Sequence, residues 1–277
     1  MKKVSVIIPF YNQEIDLLKQ AIDSVLVQTL NDIEIICIDD GSDNKECANF
    51  IKNYANIKLI ETKHFGSGNA RNIGIEHSTA ENIMFLDSDD FYPEKDTIEK
   101  LYNLKNEKNV LIVGGRHKIL NNGCFEEPYF NYGNINEFFC NKIVNYSDYQ
   151  FPWWYWCFMF DSNLIKKNNI LFPDYLRYQD PPFFVRVMNT GKEFFAADFI
   201  SYIHRNSNKL YNLNDITIEH HVNGIVDLLK YSKENNLTKL FNLLHDTFFG
   251  FDIKLIENIK DLPKEKKDFL INLVKNI

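Results

Sequence analysis

Asp87-Ser88-Asp89-Asp90 sets three carboxylates within four residues, directly after the apolar run Ile83-Met84-Phe85-Leu86. Like charges this close disfavour one another's ionised forms. A divalent cation relieves that repulsion, and hard oxygen donors suit Mg²⁺ or Mn²⁺. The alternative is a solvated acidic turn capping the next helix, a common use of Asp. Asp39-Asp40-Gly41-Ser42 closes a second apolar run, residues 33–38. Its acids suit hydrogen bonding to a base or ribose, and a plain turn with Asp and Ser caps would use the same residues. Tyr11 and Asn12 stand just past Pro9, where an exposed ring offers a stacking face; packing is the plainer use. Gly66-Ser67-Gly68-Asn69-Ala70-Arg71 carries Arg71 where a dinucleotide fingerprint needs its third glycine, and it follows the third strand rather than the first. It reads instead as a turn opening a helix, with backbone N–H groups and Arg71 available to an anion or Arg71 paired with a nearby acid.

Alternating elements must position these clusters. Residues 4–8, 33–38, 57–60, 83–86 and 110–113 read as short apolar strands, and 15–28, 47–54, 70–77 and 97–104 as helices. Strands apolar on both faces and separated by helices imply a mostly parallel sheet covered on both sides. Ligands of such sheets bind beyond the carboxyl ends of the strands, near a switch in strand order. The three polar clusters lie at those ends. Residues 114–160 lack clear periodicity and include Trp153-Trp154-Tyr155-Trp156, expected to be mostly core with one ring toward the cleft. Two patterned segments follow at 183–189 and 193–203, then a helical pattern over 215–277 with Pro263 setting off the last helix.

Composition narrows the function classes. Of 277 residues, 45% are hydrophobic and 25% charged, which excludes a wholly disordered chain. A net charge of −7 argues against nucleic acid as a partner. No apolar run reaches the roughly 18–20 residues of a membrane span, and the N-terminal Met1-Lys2-Lys3 lacks a signal-peptide pattern. Five cysteines without C-x-x-C spacing indicate neither a disulfide framework nor a zinc site. A cytoplasmic location is the expectation.

Taken in order, Val4 to Asn12, Ser24 to Thr29, Glu34 to Ser42, Ala70-Arg71-Asn72-Ile73-Gly74 and Phe85 to Asp90 resemble the signature of family 2 glycosyltransferases of GT-A fold, a group that builds bacterial surface polysaccharides. The resemblance is dense over residues 3–105. It implies a GT-A catalytic domain over 1–210, with 1–105 binding the nucleotide sugar and 106–210 facing the acceptor, and a helical C-terminal extension over 211–277. It also implies residue roles. Pro9, Tyr11 and Asn12 would shape the base pocket, with Asp39 binding the base beside Asp40 and Gly41. Arg71 would lie near the diphosphate. Asp87-Ser88-Asp89 matches the D-x-D motif, with Asp87 near the ribose and both Asp87 and Asp89 toward the metal, while Asp90 serves the turn.

The second half matches more loosely. Phe172-Pro173, Gln179-Asp180-Pro181-Pro182-Phe183 and Tyr202-Ile203-His204-Arg205 stand where the family has F-P, E-D-x-x-F and Y-x-Y-R. Gln179 replaces the usual Glu, and Asp180 keeps the general-base position; loss of the neighbouring charge is expected to lower the pKa of Asp180. His204 and Arg205 are candidate diphosphate partners, with a structural histidine as the alternative for His204.

The implied activity is inverting, Mn²⁺- or Mg²⁺-dependent transfer from a nucleotide-diphosphate sugar, UDP by family frequency, to a hydroxyl of a glycan or lipid-linked glycan. A catalytically impaired binding or scaffold member of the family is the rival. A nucleotidyltransferase would carry a Gly-rich basic loop after the first strand, which Pro9-Phe10-Tyr11-Asn12 does not provide. Residues 215–277 hold nine Lys against ten Asp plus Glu, so there is no basic face for anionic lipid. Their apolar stripe suits packing on the catalytic domain, a second subunit, or peripheral contact at the inner face of the membrane.

Overall fold

The computed structural model describes residues 2–128, 138–206 and 214–277. The expected boundary at 210–211 lies outside the described residues. The chain alternates as β1 (Val4–Phe10), α1 (Ile15–Leu26), β2 (Ile33–Asp39), α2 (Glu46–Ile51), β3 (Ile57–Glu61), α3 (Ser67–His77), β4 (Asn82–Phe85) and α4 (Thr97–Glu107). Every residue of β1 and β4 is buried, as their unbroken apolar runs require when helices cover both sheet faces. Helix α1 turns Leu18, Ala21, Ile22 and Val25 inward at helical spacing. Helix α3 packs so closely on the sheet that a Cβ at Gly74 would fall 2.4 Å from Ile7 Cγ2.

The second half is β5 (Ile112–Asn121), β6 (Cys124–Glu126), β7 (Lys142–Asn145), α5 (Tyr146–Tyr149), β8 (Phe158–Asp161), α6 (Ser162–Lys167), α7 (Asp180–Gly191) and β9 (Glu193–Arg205). The strand expected at 110–113 is thus only the start of a ten-residue strand, which forms a hairpin with β6. Asp161 caps α6 by accepting from Asn163 N and Leu164 N, and Pro181 and Pro182 sit where the first turn of α7 has no hydrogen bond to lose.

The strands form one sheet in the order β3-β2-β1-β4-β8-β5-β9-β7, with β6 on β5. The β3-β2-β1-β4 part is parallel. Beyond it the sheet is mixed: β8 runs antiparallel between β4 and β5, and β5 pairs parallel with β9. The expected parallel character therefore describes the first half. Strand order reverses at β1, since β2 and β3 lie to one side and β4 to the other. The open carboxyl ends of β1 and β4 define the site edge.

Helices α8 (Asp215–Glu234), α9 (Thr238–Thr247), α10 (Ile253–Asn258) and α11 (Lys264–Lys275) follow. Asn214 and Thr217 form a reciprocal capping box that fixes the start of α8. Ile218, Val222, Ile225, Leu228 and Leu229 of α8 are buried in the same hydrophobic cluster as β1 and β4. Arg186 on α7 donates from Nη2 to both carboxylate oxygens of Asp227 at 2.7 and 2.9 Å. Among the described residues no helix is long and apolar enough to cross a membrane.

Candidate active site

A cleft of ≈ 420 Å³ opens where the strand order reverses. The end of β1 gives it Pro9, Tyr11 and Gln13, the turn after β2 gives Asp40, and the turn after β3 gives His64, Gly66 and Ser67. Arg71 from α3 and Asp87-Ser88-Asp89 from the turn after β4 form its opposite end, with Leu176 and Thr217 completing the wall. The cleft is therefore aromatic at one end, and cationic and acidic at the other.

Arg71 is buried, yet one turn into α3 its guanidinium reaches Asp87, with Nη2 2.6 Å from Oδ1. Its plane lies over Tyr155 and Phe172, 5.3 and 5.5 Å from the ring centres. Burial opposes the charge on Arg71, but Tyr155, Asp87 and Asp180 together outweigh it and raise its pKa. Nε and Nη1 have no hydrogen-bond partner. A fixed cation with unused donors is suited to an incoming anion.

The Asp87–Asp90 turn is held from behind by β9. Asp87 N donates to Tyr202 Oη at 3.1 Å, and that hydroxyl donates to Asp90 Oδ2 at 2.8 Å. Arg205 N donates to Asp90 Oδ1 at 2.7 Å, His204 Nδ1 lies 3.2 Å from Asp90 Oδ2, and Arg205 Nε donates to the Asp89 carbonyl. Burial raises the pKa of Asp90, and the hydrogen bond from His204 works against that rise. Burial would lower His204, but Asp90 and the more distant Asp87 and Asp89 prevail and raise it. Asp90 thus belongs to the turn. His204 and Arg205 are not among the residues lining the cleft; His204 stacks on Trp156, and Arg205 also donates to Gln20.

Asp180 opens α7 and lines a second cavity of ≈ 490 Å³ with Trp153, Arg177, Tyr178, Gln179 and His221. Leu176 borders both cavities. Burial raises the pKa of Asp180, Arg71 holds part of the rise back, and Asp87 adds to it. The lowering expected from the missing Glu is therefore overridden by desolvation. Gln179 is buried and donates from Nε2 to Ser67 Oγ at 2.8 Å, tying the start of α7 to the start of α3.

Of the two acids after β2, Asp40 and not Asp39 lines the cleft. Asp39 is fully buried, accepting from Ser42 N and Lys45 Nζ, so the expectation that it contacts a base gives way to a structural role. The two are adjacent at a strand end and so point to opposite faces, a parity that the letters Asp-Asp do not carry. Asn12 ties the β1 loop to the same turn through Ser42 Oγ and the backbone N of Asp43. Gly41 has φ +76°, and a Cβ there would fall 2.5 Å from His64 N, so this glycine lets the two turns touch. Trp156 is buried against Tyr202, Trp154 packs on His117, and Trp153 is the ring that reaches a cavity.

Four cleft residues escape a reading of the sequence: Gln13, His64, Leu176 and Thr217. Ser88 Oγ donates to Gln13 Oε1 at 3.1 Å, and beneath the cleft the buried Tyr155 donates to Asp87 Oδ1 at 3.4 Å. Each is brought in by packing between segments far apart in the chain.

Among the described residues no three His, Cys, Asp or Glu side chains gather into a self-sufficient cation cage. Asp87 and Asp89 at the cleft suit a cation that takes one or two carboxylates and completes its shell with phosphate oxygens and water, the usual manner of Mg²⁺. The donor set fits such an ion.

Fold and cleft together define an α/β domain with a cleft at its switch in strand order and a carboxylate-lined cavity beside it. The profile described as "Glycosyl transferase family 2" matches residues 5–173, and the chain belongs to that family of glycosyltransferases. It is 33% identical to poly(ribitol-phosphate) beta-N-acetylglucosaminyltransferase TarP of Staphylococcus aureus, over 73% of this chain and 63% of that protein. It is 30% identical to poly(ribitol-phosphate) beta-glucosyltransferase of Bacillus spizizenii, over 72% of this chain and 32% of that one. The chain thus spans less than two thirds of these relatives. In fold it resembles the crystal structure of S. aureus TarS 1–349 in complex with UDP-GlcNAc, with a TM-score of 0.74 at 20% identity, over 98% of this chain and 79% of TarS.

Proposed function

We propose that the chain transfers a sugar, with inversion, from a UDP-sugar to a hydroxyl of a glycan or polyol-phosphate acceptor of the bacterial cell surface, working on the cytoplasmic side of the membrane. The observation that carries this reading is the position of Asp180: a half-buried carboxylate that interacts electrostatically with Arg71 and Asp87, in a cavity that shares Leu176 with the cleft. UDP is supported by the nucleotide in the TarS structure, and the acceptor class by the names of the poly(ribitol-phosphate) relatives.

A sugar or polyol hydroxyl is a weak nucleophile until a base takes its proton. Asp180 is that base, and burial moves its pKa toward the working pH, where a carboxylate accepts a proton more readily. A single base and direct displacement invert the anomeric centre. Arg71, held by Asp87 and by the two aromatic faces, meets the charge that develops on the departing diphosphate. Asp89 and Asp87 would hold Mn²⁺ or Mg²⁺, which neutralises phosphate charge.

The test is a screen of nucleotide sugars for binding and transfer with Mn²⁺ or Mg²⁺, repeated with Asp180→Asn. Donor affinity within about threefold of wild type and transfer reduced by about 10³-fold or more are expected for a lost general base. If wild type binds no donor with either ion, the reading fails; transfer at wild-type rate by Asp180→Asn removes its mechanism.

A further inference from the structure

The aromatic end of the cleft is built by two residues from different turns. The rings of Tyr11 and His64 are stacked, with centres 4.0 Å apart and planes 18° apart. At that spacing no third ring enters between them, so His64 covers one face of Tyr11. The imidazole is itself fixed. Nδ1 faces two acceptors, Asp40 Oδ2 at 2.8 Å and the Asp40 carbonyl at 3.1 Å, and so carries hydrogen and donates. Asp40 in turn accepts from Phe65 N and Gly66 N, which locks the turn that bears His64. Gly41 allows this approach, since any Cβ there would strike the backbone of His64. Although anchored on both sides, the His64 side chain remains 49% exposed and lines the cleft.

An aromatic ring held rigidly, with one face backed and half its surface open, is a stacking platform built in advance. The opposite end of the same cleft holds Arg71, Asp87 and Asp89, the groups suited to a diphosphate and its cation. A nucleotide laid along the cleft puts its phosphates there and its base at the aromatic end. We propose that the imidazole face of His64, backed by Tyr11 and clamped by Asp40, is the surface on which the donor's pyrimidine base stacks. This rests on the nucleotide-sugar reading above and assigns the base a residue outside the family signature.

Calorimetric titration of the full chain with UDP and Mn²⁺ tests it, using three substitutions at one position. His64→Ala removes the ring and is expected to weaken UDP by about tenfold, the scale of one lost base–aromatic stack. His64→Phe keeps a ring without the bond to Asp40 and is expected to restore most of that loss. His64→Asn keeps a hydrogen-bond donor without the ring and is expected to bind as weakly as His64→Ala. UDP affinity within twofold of wild type in His64→Ala overturns the proposal. So does wild-type affinity in His64→Asn beside weak binding in His64→Phe, which would assign His64 to holding Asp40. Absence of UDP binding by wild type strikes the nucleotide-sugar reading itself, a different and separable result.

Discussion

At the scale of single residues, burial disfavours the ionised forms of two carboxyl groups of the site, Asp90 and Asp180. Asp180 shows the cost most directly. Its folded pKa is raised above the ordinary value of 3.8 because burial disfavours the carboxylate more than Arg71 favours it. The folded state therefore holds a proton more tightly than the unfolded state, and above the unfolded pKa the ionised group subtracts from stability. That penalty fades as pH falls through the raised folded pKa toward 3.8. Asp180→Asn is accordingly expected to melt at a higher temperature than wild type at pH 7, with the difference shrinking as the pH approaches 4. An equal or lower melting temperature at pH 7 would count against it. The Asp clusters and Arg71 were legible from residue type and spacing. The parity of Asp39 and Asp40, and the arrival of His64, were not, because both depend on how two turns meet across the sheet edge.

At the scale of elements, close approach decides which substitutions are tolerated. Helix α3 reaches the site only because Gly74 lies against Ile7 and Ile38 of β1 and β2. A larger side chain there must push the helix from the sheet, and Arg71 moves with it. Gly74→Val is expected to destabilise the fold by about 2–3 kcal/mol, the range for overpacking a close contact, and to weaken donor binding as well. Urea unfolding and UDP titration on the same sample check the pair; loss of stability with unchanged UDP affinity would uncouple α3 position from the site. The strand–helix alternation through α4 was readable because apolar runs and helical spacing repeat at short range. The strands β5 and β9 were not, since their length comes from pairing with each other across some 80 residues, a contact with no local signature.

At the scale of the whole molecule, the C-terminal helices belong to the same packed body as the catalytic sheet. Thr217 of α8 lines the cleft, His221 lines the Asp180 cavity and pairs with Asp252, and Leu240 N donates to Gln150 Oε1. Five buried aliphatic side chains of α8, at roughly 1.5–3 kcal/mol each, rival the roughly 5–15 kcal/mol that holds an average domain together. A chain ending at Asn206 is expected to lose its cooperative melting transition and to elute as aggregate on size exclusion; a monomer with an intact transition would show the helices to be dispensable. The helical pattern of this segment was legible in the sequence, but its faces gave no indication of which surface they cover.

The antiparallel strand β8 sets an order in time. Residues 158–161 must slot in beside β4 before the edge of that strand is satisfied. While the chain is being made, β1 through α4 emerge with the apolar β4 edge bare, and it stays so until β8 has followed. An unpaired apolar edge is a template for joining another chain. Synthesis of this enzyme therefore passes through a stage in which its most recognisable half is already complete in sequence yet open to association at the strand that carries the D-x-D turn.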